Sequence, residues 1–336
     1  MKFYFKIFFW VLLLSFSHFS CNDVVNKNVG KLFMKNDWNA RVENVVPEEI
    51  PIPFLSNIQN ISSVDHFLLL HQEKMDSAYS IWNVLPPYNY VRFGQVGNGP
   101  ADVLPTSTLI EEDVQNRIRV LSGTTIKSFI ISGDSVCFVE SRSCNSQFNF
   151  YRTIHAVSDS VCLVDISGPH QTGLYLLNIY TREIYDSISV DEGYFDCKYV
   201  PHEFNFSVNS DRIVLGRARY DQIEVYHFDQ DRLKIIPEYV INYNNASTKN
   251  MDKSSACYMR DIVSDGTCYY LLNQNTGRPG KETYLDVYTW NGKSVNRMVL
   301  DGLYLQMVLL DNKIYLKKYR EDDYIYMLSL DKLNFE

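Results

Sequence analysis

Residues 61–70 read ISSVDHFLLL: an apolar run ending at Val64, the polar pair Asp65–His66, and a second apolar run from Phe67 to Leu70. Two polar residues between two strand-forming runs signal a β-hairpin, because a two-residue turn matches the twist of the strands it joins. The phrase returns as EEDV-QN-RIRVL at Gln115, HAVS-DS-VCLV at Asp159 and FSVNS-DR-IVL at Asp211. It returns twice more, as DIVS-DG-TCYYLL at Asp265 and MVLL-DN-KIYL at Asp311. These turns recur roughly every 44 to 54 residues, a period at which one supersecondary unit stacks against copies of itself.

Each hairpin is followed by a second one. YSIWNV precedes PPYNYVRFG, IKSFIIS precedes GDS and VCFV, and GLYLLNIY precedes TRE and IYDSISV. QIEVYHF, DQD and RLKIIPEYVI follow, then YLDVYTW, NG and KSVNRMVL, then DYIYMLSL and DKLNF. Alternation in these runs marks half-buried strands. Each unit therefore reads as a four-stranded antiparallel meander, and six of them predict an all-β, six-bladed β-propeller of four-stranded blades. The last unit is short of an outer strand, and the segment ARVENVVP at 40–47 is expected to supply it, closing the ring and covering an open edge. WD and kelch signatures are absent, and six units use all of residues 50–336, so a seventh blade has no sequence to draw on.

Composition agrees. The chain has 336 residues with 14 % aromatics, 24 of them Tyr, and aromatic side chains suit a pleated, half-buried surface. The formal net charge is −8, which argues against a nucleic-acid partner, since that needs a basic footprint.

Residues 1–20 read as a lipoprotein signal peptide. Lys2 and Lys6 precede the apolar core IFFWVLLL at 7–14, which is too short to span a bilayer, and SFSHFSC follows. Cys21 stands where a bacterial lipoprotein is cleaved and acylated, with Ser20 before it; His18 departs from the usual Leu, and ordinary cleavage after Ser17 is the alternative. This predicts membrane attachment through a lipid at Cys21, in the cell envelope and at the outer membrane. Residues 21–45 are polar and Asn-rich, a tether with a possible ring-closing strand, and residues 46–336 form the propeller. Of the six other cysteines, none has metal-ligand spacing. Cys137 and Cys144 are the one pair local enough to bridge, and hairpin register sets Cys268 opposite Val263 and away from Cys257.

Loop lengths point to one face. The first-to-second turns and most third-to-fourth turns are short, whereas second-to-third loops and blade-to-blade connections are long, and long loops on a rigid scaffold usually carry binding. That face would display Arg217, Arg219, Arg278, Lys281 and Arg320, with Asn98 and Asp102 in a blade-to-blade loop. Arg219, Arg278 and Arg320, from consecutive units, are expected to form a positive arc suited to carboxylates.

At 94–102 the chain reads GQVGNGPAD. A Gly-x-Gly-Pro-x-acid loop closing the first of six such repeats, behind a lipoprotein signal, resembles the TolB-like six-bladed propeller lipoproteins of Gram-negative anaerobes. Gly97, Gly99, Pro100 and Asp102 match that family's loop, while Asn98, Ala101 and Val103 depart from it. The resemblance implies the fold and the envelope location, and no catalytic residues. The glycines do not read as a phosphate cradle, which needs a helix directly after them.

No nucleophile elbow or H-E-x-x-H motif occurs. His66 and His71 are an odd number of residues apart on a strand, hence on opposite faces. Asp76, Asp134, Asp159 and Asp186 each precede Ser and a small or branched residue. That pattern resembles bacterial O-glycosylation sites and is also ordinary turn chemistry. The innermost strands offer His155, Glu203, Arg260 and Asp261 as titratable groups. The expectation is a non-catalytic binding or scaffold module for a protein, peptide or glycan. The alternative is an envelope hydrolase or lyase working at the central channel. The sequence names no cofactor.

Overall fold

The computed structural model describes residues 32–35, 41–52, 57–84, 88–112, 114–144, 151–167, 172–189, 204–217, 222–242, 259–274 and 282–331. Every regular element among them is a β-strand. The first three are short: β1 (Leu32–Lys35), β2 (Arg41–Val45) and β3 (Glu48–Pro51). Four-stranded meanders follow. The first is β4 (Ile58–Val64), β5 (Phe67–Gln72), β6 (Ser77–Trp82) and β7 (Tyr90–Gln95). Then come β8 (Thr108–Glu111), β9 (Arg117–Ser122), β10 (Thr125–Ser132) and β11 (Ser135–Ser143), and β12 (Tyr151–Ala156), β13 (Val161–Ser167), β14 (Thr172–Asn178) and β15 (Ile184–Ser189). The fourth is β16 (Phe204–Asn209), β17 (Arg212–Arg217), β18 (Gln222–Asp229) and β19 (Lys234–Asn242). The fifth is β20 (Met259–Ser264), β21 (Cys268–Gln274), β22 (Glu282–Thr289) and β23 (Ser294–Asp301). The chain finishes with β24 (Tyr304–Leu310), β25 (Lys313–Lys318) and β26 (Tyr324–Ser329).

The fold is an all-β propeller, but hydrogen bonding does not divide it into six separate sheets. Four sheets are self-standing blades, and the fifth has eight strands in the order β11-β10-β9-β8-β12-β13-β14-β15. The fusion is local: β8 and β12, each the first strand of its meander, pair in parallel through Ile154↔Ile110 and His155↔Glu111.

Closure also differs from expectation. The strand that completes the last blade is β3, antiparallel to β26 with Ile50 opposite Ile325, and not the segment 40–47. Within that segment β2 instead lies parallel to β23 as a fifth strand, and β1 lies parallel to β19 in the same way. The propeller's strands thus begin ahead of position 46, and this strap runs along the outer edges of three successive blades.

Apolar packing is organised between blades. Six clusters of buried side chains each draw on two consecutive meanders, and the last joins Val308, Leu310, Tyr315 and Ile325 to Ile58, Leu68, Leu70 and Trp82. The second strands explain their own sequence. Leu68 and Leu70 face one cluster while Leu69 faces the next, and Ile213 and Leu215 are divided from Val214 in the same way. A strand buried on both faces needs an unbroken apolar run, not the alternation of a half-buried one.

Turn chemistry follows the backbone. Asp311 and Asn312 both have positive φ (49° and 57°), the conformation a two-residue hairpin turn demands and Asn and Asp tolerate. The Asp211 turn is shifted by one: Asn209 pairs with Arg212, so Ser210 and Asp211 make the turn, with Ser210 at φ 54°. At Asp265 the turn is longer than two residues, because the Asp265 N–H donates to the Cys268 carbonyl at 2.9 Å. Tyr270, not Cys268, therefore stands opposite Val263.

Candidate functional site

The innermost strands carry the polar side chains nearest the axis. β24 lies beside both β4 and β20, and β20 beside β16. Across these seams the side chains bind blade to blade. The Asp261 carboxylate accepts from the Ile262 N–H at 2.9 Å and, in the next blade, from the Met307 N–H at 2.7 Å. The Gln306 side chain bonds Asn60 and accepts from the Ile61 N–H at 3.2 Å. Ser207 and Ser264 hydroxyls meet at 2.8 Å. Lys317 donates to the Ile58 carbonyl, and burial holds its pKa below the ordinary lysine value. His155 Nδ1 lies 4.0 Å from a Glu111 carboxylate oxygen, the two side chains 13 % and 46 % exposed. Glu203 lies outside the described residues, as does the Arg260 side chain. Among the described residues no three His, Cys, Asp or Glu side chains gather as a metal site.

An ion network with a buried centre and an exposed end escaped the sequence reading. Glu112 and Arg119, each 3 % exposed, meet at 2.7 Å, and Arg117 joins the same carboxylate at 2.8 Å. Arg117 also reaches Asp159 in the following meander at 2.8 Å, and Arg119 donates to the Asp159 carbonyl at 2.7 Å. Burial works against the Arg117 charge, but its bonds to Glu112 and Asp159 outweigh that and raise its pKa. The bond from Arg117 correspondingly lowers the pKa of Asp159. Its signal in the sequence is EED ahead of RIR, a pattern that also suits a hairpin. The network's chemistry is cross-bracing, because both guanidinium groups and the carboxylate are occupied by one another.

The glycine loop is built around its own acid. Gly99 N–H donates to Asp102 Oδ2 at 2.7 Å, and a Cβ at Gly97 or Gly99 would meet that oxygen at 2.5 or 2.7 Å. Lys127, buried on β10, donates to the Gly99 carbonyl at 2.9 Å and to the Asp102 carbonyl. Gly94 needs its positive φ of 64°. Asp102 is thus a loop-organising residue, half-buried with its carboxylate turned onto the Gly99 N–H, while Asn98 is exposed. The loop leads to a strand and holds no helix N-terminus.

Of the basic residues, Arg320 is exposed and stacks over Tyr319 at 4.9 Å. Arg217 ends β17, with its side chain outside the described residues; Arg219, Arg278 and Lys281 lie outside them altogether, as do Cys21, Cys197 and Cys257. The loop asymmetry holds only in part. β9 and β10 join through two residues, Thr125 pairing with Ser122, and β23 and β24 are separated by Gly302 and Leu303 alone, whereas β6 and β7 need seven. Cys137 and Cys144 are thiols, not a bridge; seven residues of nearly straight strand hold them roughly 20 Å apart. His71 is buried and stacks on Tyr79 at 4.8 Å, whereas His66 lies in a turn. Of the four Asp-Ser pairs, Asp186 is inside β15, and the others lead into strands from turns or bends.

No protein-family model matches the chain, and no curated protein matches it. Solved structures do. A candidate exported protein from Bacteroides fragilis is 12 % identical with a TM-score of 0.55, over 88 % of this chain and 98 % of that one. A member of the DUF4221 family from Bacteroides vulgatus is 14 % identical with a TM-score of 0.56, over 85 % and 97 %. A luciferin-regenerating enzyme is 12 % identical with a TM-score of 0.51, over 84 % and 95 %. At such identities the likeness speaks for the fold: this chain is built as a β-propeller.

Proposed function

We propose that the chain is a TolB-like, six-bladed propeller lipoprotein, anchored through Cys21 in the cell envelope at the outer membrane, that binds or scaffolds a protein, peptide or glycan without catalysis. The observation that carries the binding reading is the axis. Asp261, Gln306, Asn60, Ser207 and Ser264 hold neighbouring blades together, a use of polar groups that suits a rigid platform. The six inter-blade clusters support counting the eight-stranded sheet as two blades. The partner-facing side is the one bearing Asn98 and Arg320, with Arg217, Arg219, Arg278 and Lys281 on the same set of connections.

A second reading, an envelope hydrolase or lyase working at the channel, has His155 beside Glu111 in its favour, since a histidine near a carboxylate is the pairing general acid–base chemistry uses. Two experiments test the proposal. Metabolic labelling with a fatty-acid analogue should be lost in Cys21→Ala. Affinity capture of the anchored protein from its own membranes should recover a partner that His155→Ala still retains and an Arg219→Ser, Arg278→Ser, Arg320→Ser variant releases. Labelling of Cys21→Ala, or capture unchanged in the triple variant, overturns the corresponding part.

A further inference from the structure

The face opposite those connections holds a cleft of about 290 Å³ between the first two meanders, near the lower end of the ~300–1,000 Å³ range of small-ligand sites. It is framed by four separate turns. His66 comes from the β4–β5 turn, Asn83 and Asn89 bracket the β6–β7 connection, Asn116 ends the β8–β9 turn, and Asp134 lies in the β10–β11 turn. Phe67 and buried Ile131 give it an apolar floor.

The frame is braced. The Asn116 N–H donates to the Asp65 carboxylate at 2.5 Å, and the Asn116 carbonyl accepts from the Ile131 N–H at 2.8 Å. Asn83 N–H donates to the Asn89 carbonyl at 2.8 Å, and the Asn89 amide reaches Asp134 at 3.4 Å. A Cβ at Gly133 would meet nothing, so the wall is open there. Beside Asn89, Tyr88 is 48 % exposed with φ 55°, an uncommon conformation for a bulky residue.

We propose that this cleft binds a neutral glycan, through one or two sugar units at a chain end. The exposed Asn89 and Asn116 amides supply donors and acceptors beyond the single Asn89–Asp134 bond, and the Asp134 carboxylate adds acceptors. That set matches vicinal hydroxyls, which must each give and take a hydrogen bond, while the Phe67 ring suits the C–H face of a sugar. Among the described residues the lining contains no Lys or Arg, which disfavours a phosphate or sulfate ester. The inference rests on the binding-module reading and adds a second site on the other face.

The test is affinity electrophoresis of the intact chain through gels containing a neutral glucan, mannan, galactan or xylan, followed by titration with oligosaccharides of whichever retards it. Retardation is expected with at least one, and the Asn89→Ala, Asp134→Ala variant should bind at least tenfold more weakly with an unchanged melting temperature. If that variant is unstable, His66→Ala supplies the same readout, and Arg320→Ser on the other face should bind normally. Migration unaltered by all four polysaccharides overturns the proposal, as does equal binding by the folded cleft variants. Partner capture from membranes can succeed while retardation fails, so the two readings fall separately.

Discussion

Replacing Gly97 by Ala separates two explanations of the glycine loop. The new Cβ would stand 2.5 Å from Asp102 Oδ2, far inside contact distance, so the carboxylate must swing away and release the Gly99 N–H it holds at 2.7 Å. A hydrogen bond to a charged group contributes about 1.5–3 kcal/mol. Restricting the unfolded chain returns about 0.4–1 kcal/mol, so a net loss of about 1–2 kcal/mol is expected. Asp102→Ala alone should lose the same bond. In that background nothing remains for the added Cβ at position 97 to strike, and Gly97→Ala should be neutral or slightly stabilising. The double variant should therefore match Asp102→Ala, with a coupling of about 2 kcal/mol instead of additive losses. Equilibrium urea unfolding followed by tryptophan fluorescence gives all four stabilities. A coupling below about 0.5 kcal/mol would refute the reasoning, because Gly97 would then be needed for its backbone and not for the room it leaves.

Asp286 is fully buried and takes both Arg297 (2.6 and 2.8 Å) and the Asn273 amide (2.6 Å). Arg297→Ala should lose about 3–5 kcal/mol by urea unfolding, and a loss under about 1 kcal/mol would contradict a committed buried pair. Cys137 is exposed, whereas burial pushes the thiols of Cys162 and Cys268 up to about 12 and about 11. Peptide mapping after maleimide treatment at pH 8 should find Cys137 modified and those two protected. Burial, the largest influence on His71, holds its pKa below 6.5. The unfolded chain then takes up its proton first, so this contribution is complete above about pH 6.5 and declines as pH falls toward the folded value. Between pH 7.5 and 5.5 the urea midpoint should fall less in His71→Gln than in the unmodified protein; an equal fall counts against the assignment.

What the sequence revealed is what lies close together in it. Asp65 and the Asp311–Asn312 pair announced hairpins because their positive φ is a local demand met by local residues. Ser210 carries the same demand less visibly than the Asp211 beside it, because serine is a weaker signal of positive φ. The runs FLLL and YYLL were legible as strands, but burial on both faces depends on the neighbouring blades. The strap is not legible for the same reason: RVENV and EEIP are both short strands, and only distant β23 and β26 decide which pairs where. The opposite-face cleft was not legible at all, because positions 66, 83, 89, 116 and 134 meet only after two meanders have packed.

The strap also sets an order of mechanical failure. A load applied to the chain ahead of Leu32 would reach four paired residues of β1 first and five of β2 next. Releasing either leaves β19 bonded to β18 and β23 bonded to β22, so both blades keep four strands. Only the third attachment, β3 on β26, completes a blade. Two expendable fuses therefore stand in series ahead of the clasp. Extension can be absorbed by local opening at the rim, one strand at a time, before any tension reaches the joint that keeps the ring shut.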